Sequence, residues 1–137
     1  MDRQQALAFL VDHSEHPRNY GPLANADMSF TGSYPCCEGV LTLYVCFESK
    51  GKVESVTWEG VGGCTLCRAA TSYVTMLVPG MTVEELEQMR DENLIEQLGR
   101  EVAMTRPGCA TAALRSLKRG VQTFHRHQLA QEARHHA

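Results

Sequence analysis

One stretch narrows the possible folds more than any other. From Val40 to Glu48 the chain alternates, with Leu41, Leu43, Val45 and Phe47 on one side and Thr42, Tyr44, Cys46 and Glu48 on the other. Period-two alternation is the signature of a strand with one wet and one dry face. Lys50-Gly51-Lys52 turns the chain, and Val53 to Glu59 returns with Val56 and Trp58 on one face. Two such runs separated by a short glycine-containing turn read as a β-hairpin. A hairpin with one apolar face needs a cover, and the rest of the chain is helical in pattern. The weaker run Asp27 to Tyr34, ended by Pro35, is a candidate third strand.

The cover comes from several segments. Residues 2–12 carry Ala6, Leu7, Leu10 and Val11 at helical spacing. After Asp12 the chain is irregular, with Pro17, Gly21 and Pro22. Cys64 to Leu77 repeats Ala69, Ala70, Tyr73, Val74 and Leu77 and is stopped by Val78-Pro79-Gly80. Thr82-Val83-Glu84-Glu85 is a capping box, and Asp91 to Leu98 is a further short helix. A last helix begins near Cys109 and aligns Ala110, Ala113, Leu114, Leu117, Val121 and Phe124. Beyond Phe124 the sequence is polar and His-rich, with His125, His127, His135 and His136, and fraying is expected there. The expected architecture is therefore α+β: a single domain over 1–137, with a small antiparallel sheet of about three strands covered on one face by helices.

Composition excludes several classes of function. A net charge of −3 supplies no basic field for nucleic acid or anionic lipid. No apolar run is long enough to span a bilayer, and no charged-then-apolar leader is visible, so a cytoplasmic protein is expected. In that setting six cysteines point to metal or redox chemistry rather than to a disulfide framework.

The cysteines fall at junctions. Cys36 and Cys37 precede the first strong strand, and Cys109 opens the last helix after Pro107-Gly108. Gly62-Gly63-Cys64-Thr65-Leu66-Cys67 lies where a strand hands over to a helix. The free N–H groups and dipole of a helix N-terminus favour a thiolate. A spacing of three residues puts Cys64 and Cys67 on one helix face. Cys109 joins them if the last helix packs alongside with its N-terminus at the same end. Up to four thiolates then converge from three loops, and such a set suits Zn²⁺ or a two-iron cluster equally in charge. Cys46, in mid-strand, reads as core. Trp58 and Tyr44 read as sheet residues.

These motifs, in this order, resemble the iron–sulfur cluster assembly scaffolds of the IscU/NifU N-terminal-domain family. His13-Ser14-Glu15-His16-Pro17-Arg18-Asn19-Tyr20-Gly21 is similar to that family's His-Tyr-x-Asn-Pro-Arg-Asn-x-Gly, with His13 and His16 expected to structure the loop. Cys36-Cys37-Glu38-Gly39 stands where the family has Cys-Gly-Asp. Gly63-Cys64, Gly80 to Glu85 and Cys109 to Leu114 match its later motifs.

The resemblance implies a scaffold or carrier, not an enzyme, that holds a [2Fe–2S] cluster or zinc. It implies that sulfur arrives as persulfide from a cysteine desulfurase and that the cluster passes to apo iron–sulfur acceptor proteins. Carried onto this chain, the expected ligands are Cys37, Cys64 and Cys109. Cys67 is an added fourth thiolate, and Cys36 and Glu38 are alternates. Cys37 is preferred over Cys36 because it keeps the family's distance to the strand.

The family's aspartate has no counterpart. If Cys37 is the ligand, Gly39 takes that place; if Cys36 is, Glu38 does. The residue before the third cysteine is Gly108, and Val102 to Arg106 does not match the family's Leu-Pro-Pro-Val-Lys segment. A thiolate in place of a carboxylate suits soft iron better, so a more stably held cluster is expected. Two other functions compete. One is a zinc-binding persulfide acceptor; the other is a thiol–disulfide oxidoreductase using Cys64 and Cys67. A surface site with spare thiols would also permit two chains to share a cluster as a homodimer.

Overall fold

The computed structural model describes residues 2–35, 37–49 and 51–135, with His135 described by its backbone. Its elements follow in the order α1 (Arg3–Glu15), β1 (Met28–Ser33), β2 (Gly39–Phe47), β3 (Val53–Gly62), α2 (Thr65–Leu77), α3 (Val83–Gln88), α4 (Asp91–Leu98), α5 (Arg100–Ala103) and α6 (Pro107–His135). The three strands form an antiparallel sheet in the order β1-β2-β3. The α+β architecture expected from the alternation is the one observed.

Register explains the core. Leu43 lies opposite Trp58, and Val45 lies opposite Val56. Leu41, Leu43, Val45, Val56 and Trp58 are all buried on one face. Against them pack Leu66, Ala69, Ala70 and Val74 of α2, and Ala110, Ala113, Leu114, Leu117 and Val121 of α6. The small residues let the two helices approach the sheet and each other closely. Both helices start at the end of the sheet where Gly39 pairs with Gly62.

Among the described residues no helix covers the opposite face of the sheet, and this overturns the expectation for Cys46. Its alternation phase places it on the open face, half-buried, with its thiol 3.5 Å from the Asn25 carbonyl. It is not a core residue.

Helix α1 rests on α2 through Ala6, Leu10 and His13, whereas Leu7 and Val11 of the expected stripe stay exposed. Gly99, at a φ of +100°, lets α1 in, because a Cβ there would lie 2.7 Å from the Ala6 side chain. The loop after α1 is tied to the core by side chains. His13 Nδ1 and Ser72 Oγ share a hydrogen bond at 2.8 Å. The Arg18 N–H donates to Ser72 Oγ, and Trp58 Nε1 donates to the Arg18 carbonyl at 3.0 Å. The loop-structuring role expected of His13 is thus visible in its contacts. The Thr82–Glu85 capping box forms as read.

The last helix runs past Phe124 to His135, beyond the expected fraying point, with residues 125–134 exposed. Among the described residues no helix is long and apolar enough to cross a membrane.

Candidate metal centre

The turn from β3 into α2 builds one wall of the site. Gly62 and Gly63 adopt φ of +72° and +83°, a region that L side chains rarely enter. Both are also too crowded for a Cβ. At Gly62 it would lie 2.4 Å from the Glu38 carbonyl, and at Gly63 2.8 Å from the Tyr34 ring. Arg68 braces this turn by donating to the Gly60 and Gly62 carbonyls, and its guanidinium lies over the Trp58 ring. The tight reversal delivers Cys64 to the N-cap of α2, where its sulfur accepts the Cys67 N–H at 3.4 Å. One helical turn sets Cys67 Sγ 3.4 Å from Cys64 Sγ.

The second wall comes from two distant segments. Cys37 lies in the loop between β1 and β2, and Cys109 lies in the first turn of α6. Their sulfurs are 3.8 Å apart across 72 residues of sequence. The two walls are joined by the Gly63 N–H, which donates to the Glu38 carbonyl at 3.4 Å. Tyr34 packs behind the junction. Its hydroxyl donates to Thr71 Oγ1, which donates in turn to the Cys67 carbonyl at 2.8 Å. Burial pushes the Tyr34 phenol up to about 12, so it stays protonated as that donor.

The sulfurs of Cys37, Cys64, Cys67 and Cys109 all lie within 4.8 Å of one another. A tetrahedral ion with metal–sulfur bonds of 2.3 Å has sulfur–sulfur edges of about 3.8 Å. The two close pairs already stand near that bite. Cys67 and Cys109 are fully buried, while Cys37 and Cys64 are half-buried and form the mouth. Burial works against the Cys64 thiolate. The Cys67 N–H and the thiols of Cys67, Cys37 and Cys109 outweigh it, bringing Cys64 down to about 7. Burial pushes the Cys67 thiol up to about 12 and the Cys109 thiol up as well.

The alternates fare differently. Cys36 and the side chains of His135 and His136 lie outside the described residues. Glu38 is exposed, and its carboxylate is not in the sulfur group; it serves through its backbone carbonyl. Gly39 shows why a side chain is missing there. A Cβ at 39 would lie 2.6 Å from the Gly63 nitrogen and 2.9 Å from the Val61 carbonyl. With Cys37 at the site, this turn leaves no room for an aspartate at 39.

Three neighbours of the site escaped the sequence reading: Arg68, Tyr34 and Arg106. Arg106 Nη1 donates to Cys37 Sγ at 3.2 Å. The negative charge of Cys37 and Cys64 raises the Arg106 pKa further, so it is a fixed cation at the mouth. Its place directly before Pro107-Gly108, at the end of a segment that does not match the family's, was the only available signal.

Residues 7–131 match the family model described as the NifU-like N terminal domain. The chain belongs to that family. An iron–sulfur cluster assembly scaffold protein IscU from Buchnera aphidicola is 26% identical over 88% of this chain and 94% of its own length. The protein of the same description from Escherichia coli K12 is 25% identical over 84% of this chain and 90% of its own. The solved N-terminal NifU-like protein of Brucella abortus superposes with a TM-score of 0.69 at 19% identity, covering 86% of this chain and 92% of that one. That likeness concerns the fold. In this NifU-like domain Cys67 completes a four-sulfur group.

Proposed function

We propose that this chain is an iron–sulfur cluster assembly scaffold or carrier, with a [2Fe–2S] cluster as its cargo held by Cys37, Cys64, Cys67 and Cys109. The observation that carries the proposal is the convergence of these four sulfurs within 4.8 Å, in a chain of the NifU-like family. Relatives named for cluster assembly support it. Two pairs at chelating distance suit a two-iron cluster, in which each metal takes two thiolates. The half-buried mouth at Cys37 and Cys64 suits a cargo that must enter and leave. Arg106 offsets part of the charge of the loaded site.

In this reading a cysteine desulfurase supplies sulfur as persulfide and an apo acceptor takes the cluster, in the reducing cytoplasm where free thiols persist. The protein then acts as a platform and not as an enzyme. Replacement of a carboxylate corner by Cys67 makes the cluster slower to leave. The test is transfer. Loaded protein mixed with an apo ferredoxin should hand over its cluster, and the Cys67→Ser variant should do so faster. Absence of transfer from both would contradict the carrier reading.

A second reading is favoured by one observation. All six sulfur–sulfur separations fall within 4.8 Å, a span nearer to one tetrahedral ion than to a two-iron cluster, which spreads its two pairs. On this reading a single zinc organises the thiols and one cysteine accepts persulfide.

A further inference from the structure

Cys64 and Cys67 differ in one respect that bears on sulfur chemistry. Their sulfurs are 3.4 Å apart, yet Cys67 is fully buried while Cys64 reaches the mouth. A sulfane sulfur carried on Cys64 would therefore project outward, with Cys67 Sγ on its inner side. That is the arrangement for in-line displacement at Cys64 Sγ. The nucleophile approaches from the protein, and the leaving group departs toward solvent. The other close pair has the same division, Cys109 buried and Cys37 at the mouth, but not the same close local approach. Cys37 and Cys109 stand further apart, on separate segments, and Arg106 covers the Cys37 sulfur.

The geometry points to an activity beyond holding a cluster: reduction of sulfane sulfur to sulfide by the Cys64–Cys67 dithiol. The inference rests on the reading of this site as one that receives sulfur. In the first step a low-molecular-weight or protein persulfide, R–S–SH, gives its outer sulfur to Cys64. The products are R–SH and Cys64–S–SH. In the second step Cys67 sulfur attacks Cys64 Sγ. The Cys64–Cys67 bond forms, the bond to the outer sulfur breaks, and that sulfur leaves with the bonding pair as hydrosulfide; the Cys67 proton passes to solvent or to the leaving group. Two thiols are oxidised to one disulfide, and one sulfane sulfur is reduced to sulfide. A dithiol reductant then restores the pair. Metal-free chain performs the step, because both thiols are occupied when a metal is bound. Sulfide is released at the mouth, where Cys37, another residue proposed to hold the cluster, also lies.

Glutathione persulfide, added at one equivalent to the reduced, metal-free full-length chain, tests this. Sulfide and intact mass are followed together. The expected result is about one sulfide per chain and a protein lighter by about 2 Da, with the disulfide inside the single tryptic peptide that ends at Arg68. In Cys67→Ser and Cys67→Ala, Cys64 should keep the sulfur as an adduct heavier by about 32 Da, with sulfide release slowed about tenfold or more. Because the wild-type disulfide is itself decisive, the test does not depend on either variant folding. The inference is overturned if wild type keeps the persulfide on Cys64, if both Cys67 variants release sulfide as fast, or if the disulfide forms elsewhere. The first of these leaves the sulfur-receiving reading intact. No adduct, disulfide or sulfide in any of the three proteins overturns both.

Discussion

Cys64 and Cys67 are three residues apart, and a single helical turn sets their sulfurs 3.4 Å from each other. Cys37 and Cys109 are 72 residues apart, and their 3.8 Å separation exists only while α6, the β1–β2 loop and α2 are packed together. The first pair is a property of local backbone: two left-handed glycines, an N-cap and one turn of helix. The second is a property of the tertiary core. A site assembled from one pair of each kind has a part that persists under local strain and a part that reports on the whole fold. Loss of packing should therefore dissolve the four-sulfur group before it dissolves the local dithiol.

Four perturbations should separate the two pairs. The largest effect is expected from Leu117→Ala, a fully buried position on α6 beneath the site helix. Truncating a buried leucine costs about 2–5 kcal/mol. Thermal unfolding should show that loss, and stoichiometric metal binding should weaken with it. Cross-linking of Cys64 to Cys67 by a dithiol-specific arsenical should survive.

Gly63→Ala attacks the other half. It forces an L side chain to a φ of +83° and against the Tyr34 ring. Strain of that kind costs about 1–3 kcal/mol. Here the arsenical cross-link as well as metal binding should suffer, because the turn that presents Cys64 is displaced. Equal behaviour of the two variants in the cross-linking assay would dissolve the distinction between local and tertiary pairs.

Arg106→Gln removes the donor to Cys37 Sγ and the positive charge that Cys37 and Cys64 both face. An exposed charge contributes modestly, so metal affinity should fall about threefold, with a larger loss at low salt than at high salt. Competitive titration with a chromogenic chelator measures it. The smallest perturbation is pH. With Cys64 brought down to about 7, its thiolate fraction in the metal-free protein grows as pH rises through 7 and shrinks below it. Iodoacetamide labelling of Cys64 should therefore accelerate between about pH 6 and 8 and level off above. Cys67, pushed up to about 12 and buried, should remain unlabelled across that range.

The same division governs what could be read from the sequence. The hairpin, the helix cover and the Cys64–Cys67 dithiol follow from periodicity and caps, which are local. Cys109 could be placed only conditionally, since its partnership depends on how α6 packs. The open face of the sheet was invisible for the same reason. Alternation puts Cys46 opposite Val45 in facing, but only the packing shows which face the helices leave bare. Leu7 and Val11 went the same way on α1. Arg106 and Arg68 act through side chains that reach across a turn, and no period marks them. That no aspartate stands at 39 is plain in the sequence, but the reason is legible only in three dimensions, where Gly39 abuts Gly63.

Whether the four thiolates hold an iron–sulfur cluster is decided by anaerobic purification followed by iron, zinc and acid-labile sulfide analysis with a visible spectrum. The expected result is a coloured protein with about two irons and about two sulfides per site, and loss of both in Cys37→Ser and Cys109→Ser. A colourless protein carrying one zinc per chain and no sulfide, unchanged after incubation with iron and a sulfur donor, would contradict it.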